Sequence, residues 1–200
     1  MVQRIEQAGA EFELGYWAIR GLGQPIRFLL AHAEVAFSEV RLSVNQDGSI
    51  VADESHDWTT HKDTLSVPFP NLPCLIDSSG PAEVRLTQSN AVMRYLARRF
   101  DYCGDTASDQ ICIDVLQDEA YDLRNSIAET VYTLGAEYKA VFDEFTSTAV
   151  PDTLTGLRVI CPNGESIHTN GLNNYFLIVQ NWSLVFQPKQ TSFQSIRAFF

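Results

Sequence analysis

The stretch ELGYWAIRGLGQPIRFLL, Glu13 to Leu30, decides how this 200-residue chain is read. FELGYWA (Phe12 to Ala18) has the aromatic character of a strand. Gly21 and Gly23 then make a turn, and Pro25 suits the first turn of a helix. Ile26, Leu29, Leu30 and Ala33 recur at helical spacing, which carries that helix to about Glu34. Tyr16 therefore stands where a strand stops and the backbone opens. A tyrosine there either packs into the core, its commoner fate, or donates a hydrogen bond into a cleft.

Working outward, AFSEVRLSV (Ala36 to Val44) reads as a second strand. The polar stretch Asn45 to Ser66 reads as a loop with a short helix near Trp58 to Leu65. LPCLID and AEVRLT are two further strands, joined by the hairpin signal SSGP. QSNAVMRYLARRF is a helix with Val92, Tyr95, Leu96 and Phe100 on one face. The order βαβαββα implies a small mixed sheet with helices on its faces, an α/β domain over residues 11–101. Past Gly104 the pattern changes. Ile111, Val115, Ala120, Leu123, Ile127, Val131 and Leu134 trace a long helical stripe, and a second helix follows around Glu137 to Phe145. Residues 105–200 are read as an all-α domain, atypical after about residue 153. Residues 1–10 are read as a disordered leader.

Composition narrows the function classes. Hydrophobic residues make up 45% of the chain, enough for a sizeable core. Acidic residues outnumber basic ones 25 to 14, giving a net charge of -11. A general nucleic-acid or anionic-membrane surface is thereby disfavoured, although a local pocket for one small anion is not. No apolar run is long enough for a membrane span, and residues 1–13 lack the apolar centre of a signal peptide. Cys74, Cys103, Cys112 and Cys161 are scattered, with no C-x-x-C pair, so neither a zinc cluster nor a redox motif is visible. The four histidines have no metal-ligand spacing. GLGQ is a turn, not a nucleotide fingerprint.

Several residues carry a chemical reading beside an ordinary structural one. Gln88 and Ser89 fall at a helix start, where unpaired N–H groups can seat a carboxylate; Ser89 can equally cap its own helix. Pro73 in FPNLPCLID opens a strand. A cis peptide there would turn the Leu72 backbone toward a peptide-like ligand, whereas a trans proline would merely blunt an edge. Trp58 and Lys62 share a helix face, where an indole N–H and an ammonium suit a carboxylate; an exposed, partly packed pair is the plainer reading. Tyr132 and Asp122 lie on the long helix, where packing and solvation are their default fates. If Tyr16 donates to a thiol, it favours the thiolate. Lowering a thiol pKa of ~8.5 by about two units stabilises the thiolate by roughly 2.7 kcal/mol, and the thiolate is the nucleophile.

Taken together, LGYWAIRGLGQPIRFLL, WTTHK, FPNLPCLID, TQSNAVMRYLARR and ICIDVLQDEAYDLRNSIAETVY resemble the glutathione S-transferases, most closely the mu class. Each motif alone is weak, but the ordered set is specific and covers Phe12 to about Asp152. The resemblance implies a thioredoxin-like N-terminal domain with a mixed four-stranded sheet and an all-α C-terminal domain. It implies a cytoplasmic homodimer that conjugates the glutathione thiolate to hydrophobic electrophiles, with glutathione as co-substrate, no other cofactor and no metal.

Position by position, the resemblance makes Tyr16 the catalytic residue. Trp17, Leu22, Trp58, Lys62, Asn71, Leu72, Pro73, Gln88 and Ser89 would hold the tripeptide, with Asp122 reaching across the dimer. Leu22 and Tyr132 would line the electrophile site, and Phe69 and Arg94 would serve the dimer interface.

The last third departs from the family pattern. The helix-opening S/T-x-x-D box is missing from GESIHTNGLNNY: Thr169 is followed three residues on by Leu172, and Ser166 by Thr169. This is the pattern of a truncated, frame-shifted or alternatively spliced form. Two functional classes follow: an active transferase, and a catalytically impaired binder of glutathione or hydrophobic ligands, or a structural relative. Thioredoxin-like disulfide exchange is disfavoured, because no C-x-x-C exists.

Overall fold

The computed structural model describes residues 3–43, 58, 62–133 and 138–148. The chain divides into two compact units, Met1–Phe100 and Asp101–Phe200. The first contains strands β1 (Gln3–Ile5), β2 (Phe12–Trp17), β3 (Phe37–Leu42), β4 (Cys74–Asp77) and β5 (Val84–Thr87), with helices α1 (Gln24–His32) and α2 (Ser89–Arg99). They form one sheet in the order β1-β3-β2-β4-β5. β2 and β3 run parallel, so the chain must cross over between them, and α1 makes that crossover. β4 lies antiparallel to β2, and β5 antiparallel to β4. The mixed sheet and the thioredoxin-like order read from the sequence are both present.

One correction concerns residues 1–10. They are not a disordered leader throughout, because β1 adds a fifth strand to the expected four. It pairs antiparallel with β3 in the register Gln3↔Arg41, Arg4↔Val40 and Ile5↔Glu39. Arg4 Nη2 reaches Glu13 Oε2 at 2.7 Å, and the Phe37 N–H donates to Gln7 Oε1 at 3.3 Å. A strand of three residues is too short to show alternation. What fixes it is non-local: β3 would otherwise present an unpaired edge.

The central strand follows its sequence closely. Phe12, Leu14 and Tyr16 are buried at period two, and Leu14 is fully enclosed. Pro25 sits in the first turn of α1, and Ile26, Leu29 and Leu30 have no exposed surface. In α2 the expected face is wider than predicted. Val92 and Leu96 are fully buried, Met93 and Ala97 nearly so, and Tyr95 and Phe100 half-buried. The Phe100 ring meets that of Phe12 with centroids 5.7 Å apart.

Asp77, at the end of β4, is a buried carboxylate that pattern reading passed over. It accepts from the Ser79 N–H at 2.8 Å, the Ser79 hydroxyl at 2.5 Å and the Tyr95 hydroxyl at 2.6 Å. Arg99 Nε lies 3.8 Å away. Burial alone would push the Asp77 carboxyl up. The Ser79 and Tyr95 hydrogen bonds, with Arg99, outweigh it and hold the group below its usual range. Burial and the bond to Asp77 push the Tyr95 phenol up to about 12.

In the second unit, Thr106 and Asp109 form a reciprocal capping box. It opens helix α3 (Ala107–Thr133); α4 (Tyr138–Ser147) follows. The stripe proposed for the long helix has the wrong phase at its start. Ile111 is 65% exposed and Val115 42%, whereas Ile113, Leu116, Gln117 and Ile127 are buried. Ile113, Leu116, Ala120, Leu123 and Ile127 also fit helical spacing. Periodicity alone does not choose between these two sets, which share Ala120, Leu123 and Ile127 and differ only at their start. No helix among the described residues is long and apolar enough to cross a membrane. The expectations for residues 153–200 lie outside the described residues.

Tyr95→Phe removes a donor to a buried carboxylate and should lower first-unit stability by about 1–3 kcal/mol in denaturant titrations. The stability that depends on the lowered Asp77 is present above the ordinary carboxylate range and is lost as pH falls through its depressed value. The Tyr95 contribution is present below the ordinary phenol value and is lost as pH rises through about 12, and Tyr95→Phe should abolish that alkaline dependence. Deleting residues 1–10 should lower the melting temperature by several degrees by uncovering the β3 edge; an unchanged transition would show that β1 contributes nothing.

Candidate functional site

Tyr16 is the penultimate residue of β2, and a 3-10 turn, Gly21–Gly23, stands before α1. The turn aims the Leu22 N–H at the tyrosine, and the Leu22 amide donates to Tyr16 Oη at 2.9 Å. The turn needs Gly23 because the Tyr16 ring lies against its backbone. A Cβ there would stand 2.6 Å from Tyr16 Cδ1 and 2.9 Å from Cγ. Gly15 is needed likewise, since a Cβ would stand 2.5 Å from Cys74 Sγ.

The buried Tyr16 side chain clusters with Leu42 and Leu72, and Trp17, Ile19, Leu22, Trp58 and Cys74 pack against them. Five sequence-predicted residues (Tyr16, Trp17, Leu22, Trp58 and Leu72) are thus gathered around one phenol. They come from β2, the turn, the segment after β3 and the approach to β4. Trp58 and Lys62 are the two ends of the W-x-x-x-K stretch; Trp58 is half-buried, and Lys62 opens a 3-10 turn, Lys62–Leu65, and is exposed.

The Leu72–Pro73 peptide is cis, which settles the alternative left open by the sequence. Pro73 is fully buried. The Leu72 N–H donates to Asn71 Oδ1 at 2.8 Å, so the neighbouring side chain covers this donor. Phe69 projects outward, 74% exposed, while its carbonyl accepts from Thr87 Oγ1 at 2.8 Å.

The register Cys74↔Thr87 brings the next residues, Gln88 and Ser89, beside the strand that Pro73 opens. Gln88 has φ 69°, a left-handed backbone uncommon for a side chain of its kind. It is the N-cap of α2 and makes no side-chain cap hydrogen bond. The first turn of α2 therefore has no side-chain cap from its N-cap residue, an arrangement suited to an anion. Ser89 is the first residue of the helix rather than its cap. Arg94 is half-buried on α2. In the second unit, Asp122 is exposed on α3, and Tyr132 lies in its last turn with its side chain outside the described residues.

Two features escaped the sequence reading. Cys74 packs beside the tyrosine cluster, and its thiol is pushed up to about 11, chiefly by burial. A contact with Gly15 offsets this in part, and Glu13 adds to it. Such a thiol is protonated at neutral pH and a poor nucleophile, which argues further against disulfide exchange. The second feature is Glu39, buried on β3 between Arg27 and Arg41.

Residues 12–98 match the family described as glutathione S-transferase, N-terminal domain. Residues 12–98 thus form a domain of the glutathione S-transferase N-terminal type. It is 42% identical over 120 residues to glutathione S-transferase 2 of Gallus gallus, covering 60% of this chain and 51% of that protein. It is 38% identical over 141 residues to glutathione S-transferase Mu 6 of Mus musculus, covering 70% and 60%. The chain thus spans between about half and three-fifths of these relatives' length. Among solved structures, the Fasciola hepatica sigma class enzyme superposes with a TM-score of 0.66 at 25% identity, over 94% of this chain and 88% of that one. An Onchocerca volvulus Pi-class structure superposes with a TM-score of 0.65 at 21% identity, over 94% and 85%, and shows the shared transferase fold.

The two close approaches predict a contrast among glycines. Gly15→Ala and Gly23→Ala should each destabilise the protein by about 1–3 kcal/mol through forced displacement of Cys74 and Tyr16. Gly80→Ala, whose Cβ would meet nothing closer than 3.7 Å, should be near neutral. Equal effects at all three positions in denaturant titrations would contradict the packing described.

Proposed function

We propose that this chain is a glutathione transferase, in which Tyr16 donates a hydrogen bond to the glutathione sulfur and holds it as the thiolate. The observation that carries this reading is the Leu22 amide on Tyr16 Oη. A phenol oxygen that already accepts a hydrogen bond is polarised into a stronger donor through its own O–H. Favouring the thiolate by about two pKa units converts a mostly protonated thiol into a nucleophile at neutral pH. No covalent enzyme intermediate is needed; positioning and charge stabilisation suffice for attack on an electrophilic carbon.

The surrounding residues supply a tripeptide cradle. Trp58 and Lys62 would take the glycyl carboxylate. The Leu72 N–H and C=O would pair with the cysteinyl backbone, once Asn71 Oδ1 yields the N–H it now accepts. Gln88, Ser89 and the first turn of α2 would receive the γ-glutamyl carboxylate, with Trp17, Leu22 and Asn71 closing the cradle. In a homodimer, Asp122 of a second copy would reach this glutathione, with Phe69 and Arg94 at the interface. Leu22 and Tyr132 would meet the hydrophobic electrophile. The net acidity of the chain poses no obstacle, since binding needs only local donors, and the location proposed is the cytoplasm. A second reading, a binder with impaired catalysis, is favoured by the departure of residues 153–200 from the family pattern.

Purified protein supplied with glutathione and an aryl halide should turn over. Tyr16→Phe should cut turnover near neutral pH by ~10- to 100-fold, the effect of about two pKa units on the thiolate, with little change in glutathione KM. Turnover by Tyr16→Phe at the unsubstituted rate would remove Tyr16 from its role. Retention on immobilised glutathione without turnover would select the binder.

A further inference from the structure

We propose that Arg27 is the positioning residue of this site, holding the Leu22 amide against Tyr16 Oη by clamping the backbone that leads into the glycine turn. The proposal rests on reading Tyr16 as the thiolate donor, but its first readout does not.

Arg27 lies on α1, one turn in, and its side chain is only 11% exposed. Its Nε and Nη2 both meet Glu39 Oε1 at 2.5 Å. Arg41 takes the other carboxylate oxygen, with Nε at 2.9 Å and Nη2 at 2.8 Å from Oε2. Glu39 is thus neutralised by Arg41 as well, and an ion pair alone would leave the third nitrogen of Arg27 without purpose. Instead Nη1 donates to Ile19 O at 3.1 Å, Arg20 O at 3.3 Å and Gln24 Oε1 at 3.2 Å. The Arg20 carbonyl also accepts the Gln24 N–H at 2.8 Å.

These acceptors bracket the Gly21–Gly23 turn. Ile19 and Arg20 enter it, Gln24 leaves it, and Leu22 sits between. A glycine-flanked turn has wide backbone freedom, so a fixed Leu22 N–H requires both ends to be held. A planar guanidinium does this from one side chain, because its fork presents donors in a fixed plane. The same guanidinium carbon stands 6.0 Å from the centroid of the Tyr16 ring, where its charge favours a polarised phenol. The grip is anchored at its far end on β3, since Glu39 and Arg41 are the residues that β1 pairs in register with Ile5 and Gln3. Two arginines and one carboxylate leave a net positive charge behind the tyrosine, in a chain whose net charge is -11.

The test compares Arg27→Gln with the unsubstituted full-length protein by amide hydrogen–deuterium exchange without glutathione. The Leu22 amide should exchange at least ~10-fold faster, while amides of β4 and α2 keep their protection. Arg41→Gln, which leaves the Arg27 grip in place, should change Leu22 exchange by less than about twofold. If Arg27→Gln does not fold, Arg27→Lys retains a cation for Glu39 but lacks the fork, and should move Leu22 in the same direction. Unchanged Leu22 exchange in the folded variant overturns the proposal.

A second readout is the ultraviolet absorbance of bound thiolate against pH. Arg27→Gln should raise the midpoint by about one pH unit with glutathione affinity changed less than about threefold, a shift that a merely structural role would not produce. In a Tyr16→Phe background Arg27→Gln should add nothing further; an equal shift there overturns the proposal. If the unsubstituted protein forms no bound thiolate, the transferase reading fails, and Leu22 exchange alone decides the role of Arg27.

Discussion

A single hydrogen bond, from the Leu22 amide to the hydroxyl of Tyr16, is the contact on which the proposed chemistry of the first unit depends. Everything near it serves to make that contact reproducible. β2 buries the Tyr16 ring near its end, and the hydroxyl meets the glycine turn that follows. Gly23 lets the ring lie against backbone, at a distance no side chain would permit. Behind the ring, Arg27 ties the entry and exit of the turn to a buried carboxylate on the neighbouring strand.

The same site combines a rigid frame with polar groups set to change partners. Pro73 is fully buried, and α2 packs through Val92, Met93, Leu96 and Ala97. By contrast the Leu72 N–H bonds to the side chain of its own neighbour, the contact that the proposed peptide ligand would replace. The α2 N-terminus behaves alike, having a strained Gln88 backbone and no side-chain cap. A carboxylate would offset the missing cap. The arrangement fits recognition of a short peptide with charged ends better than it fits disulfide chemistry. Cys74, the thiol packed against the tyrosine cluster, is held in its protonated form by burial.

How much of this was legible depended on whether the determining contact was local. The β2–turn–α1 unit was readable because Phe12, Leu14 and Tyr16 alternate and Ile26, Leu29 and Leu30 recur within a few residues of one another. The cluster of Tyr16, Trp17, Leu22, Trp58 and Leu72 was named only through the ordered resemblance, since no single motif specifies it. Three features were hidden because their causes are non-local. β1 is three residues whose only reason to be a strand is the open edge of β3. Glu39 and Asp77 are carboxylates made tolerable in part by partners distant in sequence, Arg27 for the first and Tyr95 and Arg99 for the second. The start of α3 was misphased because two apolar stripes compete there. Only the fold chose Ile113 and Leu116 over Ile111 and Val115.

The most direct measurement is the pH titration of the sulfur of bound glutathione, followed by thiolate absorbance in the unsubstituted protein and in Tyr16→Phe. A donor at Tyr16 predicts a midpoint about two units below that of a free thiol, which is near ~8.5, and its return toward that value when the phenol is removed. A bound thiol that titrates as it does in water, or a midpoint indifferent to Tyr16→Phe, would contradict the role given to this tyrosine.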